Sequence, residues 1–268
     1  METEIKTQEG MVAFLDILGY SSFLQNNEPE EAAKTVRNHL LNAPENTKKV
    51  FEQLYKDPTA TVVKKHVDSF RWLIFSDTIL LTNSYQPEDS QKTKALRWLM
   101  FLMTLATLYR NLFCNGLPIR GAVSYGKYFV EEHCFAGRSI IGAYQLSNSL
   151  NLAGIVLDRK SVKEAFETLE VTRHYPKVTA LLVLEYLVPL KNQDPQSMHV
   201  LSPMFPQTPR LQLSDIRQGV AECFWKHKKD LRPEVLEKIH NTEFFFRFAK
   251  MTDPKMFEKG CEIIQPRS

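Results

Sequence analysis

Apolar residues along this chain form short runs that fit β-strands and longer periodic stretches that fit helices. Met11 to Leu15 is an apolar run too short for a helix, so it predicts a strand buried on both faces. The run stops at Asp16, and Gly19 then permits a tight turn. A helix is predicted from Tyr20 onward, so the chain opens with a strand, a turn and a helix.

The remaining elements follow the same two periodicities. Pro29 to Tyr55 predicts one or two helices, broken near Pro44. The next predicted elements are a strand at Thr61 to Val67, a hairpin at Phe70 to Thr82 with its turn at Ser76 and Asp77, a helix at Gln91 to Phe113, a strand at Leu117 to Gly126, a helix at Gly137 to Leu152, a strand at Ile155 to Leu157, a helix at Lys160 to Leu169 and a strand at Val178 to Val188.

The last part of the chain predicts less regular structure and then helices. Lys191 to Leu213 contains four prolines and predicts an irregular connection. Ile216 to Met251 predicts helices whose many aromatic residues pack against the main body or a partner chain. The order of elements indicates an α+β sandwich with helices on a largely antiparallel sheet. Such a sheet could place Asp16 and Asp77 side by side on adjacent strands.

Composition narrows the class of protein. The 268 residues carry a formal net charge of +3, which does not suggest a protein that coats nucleic acid but suits an anionic small substrate. The four cysteines have no paired spacing, so neither a zinc site nor a disulfide framework is predicted and the reducing cytoplasm fits best. No signal-peptide core precedes Met11. The longest apolar run, Trp98 to Leu108, is too short to span a membrane.

Asp16 and Asp77 are the candidate chemical residues because each interrupts apolar sequence. A buried carboxylate needs a cation, and two that meet would suit Mg²⁺ or Mn²⁺, which prefer oxygen ligands. Two such ions could bind a triphosphate and activate an attacking hydroxyl, so phosphoryl or nucleotidyl transfer is the predicted chemistry. The simpler alternatives are an Asp16 that caps the next helix and an Asp77 that belongs to an ordinary hairpin turn.

These motifs resemble those of class III nucleotide cyclases. Phe14 to Tyr20, an apolar strand followed by Asp-Ile-x-Gly-aromatic, resembles the first metal motif of that family, and Ser76-Asp77 resembles the second, which is commonly Gly-Asp. Leu117 to Gly126 and Gly137 to Leu152 look most like the pyrimidine cyclases of bacterial antiphage systems. The likeness runs in order from Val12 to Asp158, more than half of the chain.

The resemblance implies a class III cyclase-like sandwich over residues 1–190, followed by an irregular connection and a helical C-terminal extension over 191–268. It implies a homodimer with active sites at the interface. Two Mn²⁺ or Mg²⁺ ions would be held by Asp16, the Ile17 carbonyl and Asp77. Backbone amides would hold the triphosphate at Leu18, Gly19, Tyr20 and Ser21. The 3′-hydroxyl would attack the α-phosphate, giving a cyclic monophosphate and pyrophosphate as a second messenger in antiphage defence.

Three positions depart from the family pattern, one that would read the base and two that would stabilise the transition state. The purine enzymes read the base with a Lys, and Arg71 is the matching position here; its forked donors suit a carbonyl-rich pyrimidine such as uracil. UTP is therefore the predicted substrate, with CTP next. The family's transition-state Asn and Arg are replaced by Ile141 and Gln145. Positive charge must come from elsewhere or the reaction relies on the metals. The basic candidates are Arg120, Lys127, Arg138, Arg159 and Lys160.

Two other functions remain open at this point. A catalytically silent cyclase-like module that binds nucleotide or a phage component and signals through dimerisation would explain the missing Asn and Arg. A nucleotidyltransferase or polymerase-palm relative would share the two-carboxylate metal site without cyclising its substrate. Neither nucleic-acid binding nor membrane insertion is expected for the cyclase.

Overall fold

The computed structural model describes residues 7–54, 64–131, 134–171, 182–203, 216–230 and 232–252. Within these ranges the elements in chain order are β1 (Gln8–Ile17), α1 (Tyr20–Gln25), α2 (Pro29–Thr35), α3 (Ala43–Leu54), β2 (Arg71–Phe75), β3 (Thr78–Ser84), α4 (Gln91–Cys114), β4 (Ile119–Glu131), β5 (Cys134–Ala136), α5 (Arg138–Ser149), β6 (Gly154–Leu157), α6 (Arg159–Leu169), β7 (Val183–Leu190), β8 (Gln193–Leu201), α7 (Ile216–Trp225) and α8 (Pro233–Met251). A π-helical turn, Val36–Leu41, continues α2.

The strands form one sheet in the order β2-β3-β1-β4-β6-β8-β7, with β5 paired to β4. Neighbours among β2, β3, β1 and β4 are antiparallel, and β6 runs parallel to β4. The first four strands and their helices therefore have the connectivity and strand order of a ferredoxin-like βαββαβ unit. The predicted α+β fold, with helices packed on a largely antiparallel sheet, is confirmed.

Strand β1 lies in the middle of this unit and divides the two faces of the sheet. Met11, Ala13 and Leu15 point into the main hydrophobic core, whereas Val12 belongs to a smaller apolar cluster on the opposite face. Because side chains alternate along a strand, Asp16 lies on the face of Val12. The strand continues to Ile17, so Asp16 lies inside the strand and does not end it.

Helix α4 covers the main-core face of the sheet. The helix has 24 residues and is buried on nearly every side from Trp98 to Phe113, so it packs across the sheet. Its start is capped by the Ser90 hydroxyl, which accepts from the Thr93 N–H at 3.2 Å. It ends before Gly116, whose left-handed φ of 77° turns the chain toward β4.

The C-terminal helices α7 and α8 pack on the main body through aromatic side chains. Phe246 lies 4.8 Å from Phe113 between ring centroids, and Phe224 lies 6.2 Å from the same ring. Tyr186 of β7 contacts Phe245 at 5.0 Å. The aromatic residues of this region thus pack against the main body of the same chain, one of the two predicted partners.

Two predicted segments differ from the structure. The strand predicted at Thr61 to Val67 is wrong where it is described, because residues 64–68 are helical. Alternation over so few residues does not separate a strand from a short helix. The part of the strand predicted at Val178 to Val188 that precedes residue 182 lies outside the described residues, and the part from Val183 onward lies in β7.

The irregular connection predicted from Lys191 is also wrong in its first part, because Gln193–Leu201 is strand β8. Pro195 is tolerated there because it lies at a register irregularity with β7, between the pairs Val188–Gln196 and Leu190–Gln193. The sheet therefore extends past the boundary at residue 190 that the sequence predicted between catalytic domain and extension.

The β2–β3 hairpin turn supplies the first testable prediction. Ser76 has a left-handed φ of 54° and an exposed side chain, and a residue with a Cβ is strained there by about 1–2 kcal/mol. Ser76→Gly should therefore raise the free energy of unfolding by roughly 0.5–1 kcal/mol after the entropy cost of glycine. Urea denaturation measures it. Ser197→Gly, in the exposed part of strand β8, is the matched control and should destabilise. Equal losses in both variants would contradict the prediction.

Candidate functional site

Asp16 and Arg120 form a partly buried ion pair across β1 and β4. The two residues are direct register partners. The Nε and Nη2 atoms of Arg120 each lie 2.9 Å from the same Asp16 oxygen, Oδ2. The Asp16 side chain is 18% exposed and the Arg120 side chain is 14% exposed. Both contacts are made to Oδ2, so Arg120 does not engage the other oxygen of Asp16, Oδ1.

Asp77 reaches the same place from the other neighbour of β1. It follows Ser76 in the turn between β2 and β3, and the Ile17 N–H donates to its backbone carbonyl at 3.0 Å. Thr78, the next residue, is the register partner of Asp16. The carboxyl groups are close enough for Asp77 to raise the pKa of Asp16. The two carboxylates predicted from the sequence therefore do come together at one end of the central strands.

The electrostatics of Asp16 show that its charge is only partly offset. Burial raises the pKa of its carboxyl above the ordinary value, Arg120 lowers it, and Asp77 raises it further. The net direction is upward even though an arginine is in direct contact. A partly buried pair of carboxylates with incomplete compensation is the electrostatic environment that a divalent cation stabilises.

The donor set fits hard ions. Asp16 and Asp77 offer carboxylate oxygens, and Ile17, between them in the sheet, offers a backbone carbonyl as a further candidate ligand. No group of three or more His, Cys, Asp or Glu side chains in the described ranges is arranged to hold a metal, so the candidate ligands here are two carboxylates and one backbone carbonyl. The alternative of Asp16 as a helix cap is excluded, since α1 begins after Gly19 and receives no side-chain cap bond.

The connection between β1 and α1 lies beside the carboxylates. Gly19 takes a left-handed φ of 76°, which a side chain would strain. Tyr20 is buried, and burial together with Asp77 raises its pKa. The first amides of α1 have no acceptor within the helix, by the geometry of helix ends. Leu18 differs, because its N–H donates to the Pro118 carbonyl at 2.8 Å; its amide is already engaged.

Arg71 is exposed at the start of the edge strand β2. It pairs with Thr82, which pairs with Val12, so Arg71 shares the sheet face of Asp16. It lies four residues farther along the strands, roughly 13 Å from the level of Asp16. Two strand spacings of about 4.8 Å each also separate β2 from β1, so Arg71 does not contact the carboxylates.

Helix α5 covers the β1–β4 part of this sheet face. Tyr144 packs edge-on against Phe14 with ring centroids 5.2 Å apart. Ile141 and Gln145, the positions matched to the family's Asn and Arg, are both exposed. At the far end of the helix Asn148 accepts from Arg120 Nη2 at 2.8 Å. Asn148 therefore orients Arg120 toward Asp16, a role that sequence patterns did not single out.

The basic candidates separate by position. Lys127 lies seven residues along β4 from Arg120, about 23 Å away, and Arg138 starts α5 about 15 Å along the helix from Asn148. Both are exposed, as are Arg159 and Lys160 at the start of α6. Of the five, Arg120 alone contacts Asp16, and within one chain Lys127 and Arg138 lie at the other end of the sheet.

Lys191 is a further cation near Asp16 that the sequence did not indicate. It follows β7 and donates from Nζ to the Asn148 carbonyl at 2.7 Å. Burial and repulsion from Arg120 and Lys238 lower its pKa to about 8, while Asp16 acts in the opposite direction. No sequence signal could have found it, because its position depends on the turn between β7 and β8.

Comparison with known proteins gives structural neighbours only. No family model matches the chain, and no characterised protein matches it by sequence. The chain is similar to the adenylyl cyclase CyaB from P. aeruginosa, with 14% identity over 74% of this chain and 96% of that chain and a TM-score of 0.46. It is also similar to the guanylyl cyclase Cya2, with 13% identity over 74% of this chain and 93% of that chain and a TM-score of 0.43. A third neighbour is the catalytic core of a rhodopsin-guanylyl cyclase with converted specificity, with 11% identity over 74% of this chain and 98% of that chain and a TM-score of 0.45. At sequence identities and TM-scores this low, the similarity concerns only the overall course of the chain.

No helix in the described ranges has both the length and the apolar character needed to cross a membrane.

The ion pair supplies the second testable prediction. Arg120→Gln leaves the Asp16 carboxylate partly buried without its cation, so the free energy of unfolding should fall by about 1–3 kcal/mol. Chemical denaturation at neutral pH measures it. Arg138→Gln, at an exposed position, is the control and should change stability by less than about 0.5 kcal/mol. An Arg120→Gln protein as stable as the wild type would show that the pair does not offset the burial of Asp16.

Proposed function

We propose that this chain is a metal-dependent nucleotide cyclase that converts a pyrimidine nucleoside triphosphate, UTP in preference to CTP, into its 3′,5′-cyclic monophosphate and pyrophosphate. The observation that supports this proposal most directly is the convergence of Asp16 and Asp77 from separate strands, beside the Gly19 turn. The sequence resemblance to class III cyclases supplies the reaction. The two observations are independent, since one concerns motifs and the other their geometry.

Asp16, Asp77 and the Ile17 carbonyl are the residues that would hold two Mn²⁺ or Mg²⁺ ions. Such ions lower the pKa of a coordinated hydroxyl and neutralise charge on the phosphate under attack. The protein's own contribution is to keep both carboxylates in place. β1 fixes Asp16 between two paired strands, and the hairpin fixes Asp77 through the Ile17 N–H.

The triphosphate would lie on the β1–α1 connection. The amides of Gly19, Tyr20 and Ser21 stay in the proposal as phosphate donors. Leu18 is not a phosphate donor in this proposal, because its N–H already donates to the Pro118 carbonyl. Arg120 is the cation nearest to the carboxylates and can offset charge on the transferring phosphate if its pairing with Asp16 loosens.

The proposed enzyme acts as a homodimer with its sites at the interface, as the resemblance implies. Exposed apolar side chains on the sheet face of Asp16 and on α5 support this. Phe75 is 75% exposed and lies in the same cross-strand row as Asp16 through Thr78, and Ile141 is 55% exposed. A dimer interface on this side of the sheet would cover both side chains. A role in antiphage signalling completes the proposal and rests on the resemblance.

The third prediction concerns turnover. With UTP and Mn²⁺ the wild-type protein should yield a cyclic monophosphate, detected by mass spectrometry beside parallel reactions with CTP, ATP and GTP. Asp77→Ala should abolish the product, a loss of at least about 10³-fold, because a metal ligand is removed. It should leave folding intact, since Asp77 lies in a turn.

The matched control for this prediction is Asp194→Ala, an exposed carboxylate on β8, which should keep full activity. Circular dichroism and size-exclusion chromatography show that all three proteins are folded in the same assembly. Full turnover in the Asp77→Ala protein would refute the site, and no cyclic product from any of the four triphosphates would refute the activity.

The fourth prediction concerns the base. Arg71→Gln removes the charged fork expected to meet uracil carbonyls and should change the ranking of UTP, CTP, ATP and GTP more than the overall rate. Ratios of kcat/KM for the four substrates measure this. Arg247→Gln, in helix α8, is the control. An unaltered ranking with Arg71→Gln would remove Arg71 from the base pocket.

A catalytically silent nucleotide-binding module is the second candidate, and two observations favour it. Ile141 and Gln145 carry no charge and are exposed, and Arg120 is already paired with Asp16. For this alternative the four-nucleotide assay would give no product, whereas Mn²⁺-dependent nucleotide binding, measured by calorimetry, would be retained and would be lost with Asp77→Ala.

A further inference from the structure

A short segment of the C-terminal extension, Lys226–Asp230, packs against the β1–α1 connection, and we call it the clamp segment. It begins where α7 ends, with a 3-10 turn over Lys226–Lys228. His227 and Lys228 have left-handed φ values of 64° and 54°. Two successive non-glycine residues in this conformation are strained, and such strain persists only where surrounding contacts hold it.

Those contacts are made largely with α1 and the two asparagines that follow it. The Asn26 side chain donates to the Lys228 carbonyl at 2.8 Å and to Asp230 Oδ1 at 3.0 Å. The Asn27 side chain donates to the His227 carbonyl, and the Asp230 N–H donates to the Ser22 hydroxyl at 2.7 Å. A helix of six residues is not stable alone in water. The bonds to the clamp segment and the burial of Tyr20 and Phe23 together fix α1.

Lys229 joins the clamp segment to the turn at Gly19. Its side chain is buried, and Nζ donates to the Gly116 carbonyl at 2.6 Å. Its methylene groups lie under Gly19, so closely that a Cβ added at Gly19 would be 3.2 Å from Lys229 Cδ. On the other side of the same connection, the Leu18 N–H is held by Pro118. The β1–α1 connection is thus fixed from both sides.

Filling this space with a lysine costs free energy, because the amine loses its hydration. Burial lowers the pKa of Lys229 to about 7, and Lys226 acts in the same direction. An apolar side chain of similar length would fill the volume without desolvating an amine. What the amine adds is a hydrogen bond to Gly116, the residue that follows helix α4 and its cap. That bond ties the extension, the end of α4 and the Gly19 turn together.

We propose that the clamp segment positions the β1–α1 connection for nucleotide binding, with Lys229 as the positioning residue, so that the C-terminal extension sets how tightly the phosphates are held. This rests on the proposed function for what is bound. The placement of the connection itself does not depend on it. Lys229 does not touch the carboxylates, so its effect is on binding.

The test compares two variants that weaken the clamp segment in different ways. Lys229→Met keeps a chain of similar length and removes the hydrogen bond to Gly116. Asn26→Ala removes two bonds to the segment from an exposed position. Lys250→Met, an exposed lysine on α8 of the same extension, is the matched control. Melting temperatures establish that all variants fold.

Two readouts are expected to move together. Hydrogen exchange of the Leu18 and Phe23 amides, whose acceptors are the Pro118 and Gly19 carbonyls, should become about tenfold faster in both clamp variants, while core amides of α4 keep their rates. The KM for UTP should rise about tenfold with kcat nearly unchanged, the pattern of lost uniform binding. Lys250→Met should change neither.

The outcomes separate this proposal from the proposed function. Hydrogen exchange needs no substrate, so it decides the placement of the connection even if no cyclic product is formed; Mn²⁺-dependent UTP binding by calorimetry then replaces KM. Unchanged exchange in both variants, or an equal rise throughout the protein, would overturn the positioning role. Faster local exchange with unchanged UTP affinity would overturn the link between the extension and phosphate binding.

Discussion

The geometry of the site depends on an electrostatic constraint: two carboxylates are held close together in a partly buried place. Asp16 is held on one face of the sheet, because it lies inside β1 with paired strands on both sides, and only 18% of its side chain is exposed. Its pKa is raised in spite of Arg120, so the positive charge nearby does not fully offset the burial and the repulsion from Asp77. The protein accepts this arrangement although a neutral residue at either position would be easier to bury.

The strand register is what enforces the constraint. Met11, Ala13 and Leu15 belong to the main core, and this alternation fixes which residues of β3 and β4 lie beside each position of β1. A slip of one residue would turn Asp16 into the apolar core and expose Leu15 on the other face. Hydrophobic burial therefore sets the register, and the register in turn places Thr78 and Arg120 next to Asp16. The electrostatic site is a consequence of apolar packing along the strand.

Sequence patterns were sufficient for the parts of the site that depend on local signals. Asp16 and Asp77 were found because each interrupts an apolar run, and the hairpin turn was found because two strand patterns flank a short polar pair. Arg120 was recognised as a candidate, but its pairing with Asp16 is a matter of register between strands a hundred residues apart in sequence. Asn148, Lys191 and Lys229 could not be found, since each acts through a backbone carbonyl or a side-chain contact that only tertiary packing creates.

Strained backbone conformations occur close to the proposed site. Among the described residues, the non-glycine residues with left-handed φ are Ser76, Asn192, His227 and Lys228. Ser76 precedes Asp77, Asn192 follows Lys191, and His227 and Lys228 precede the lysine under Gly19. Asparagine adopts this conformation with little strain, whereas each of the other three residues costs about 1–2 kcal/mol. The three strained residues lie in the turn before Asp77 and in the segment that packs against α1, where tertiary hydrogen bonds hold the backbone. Strain that is held in this way is common at functional sites.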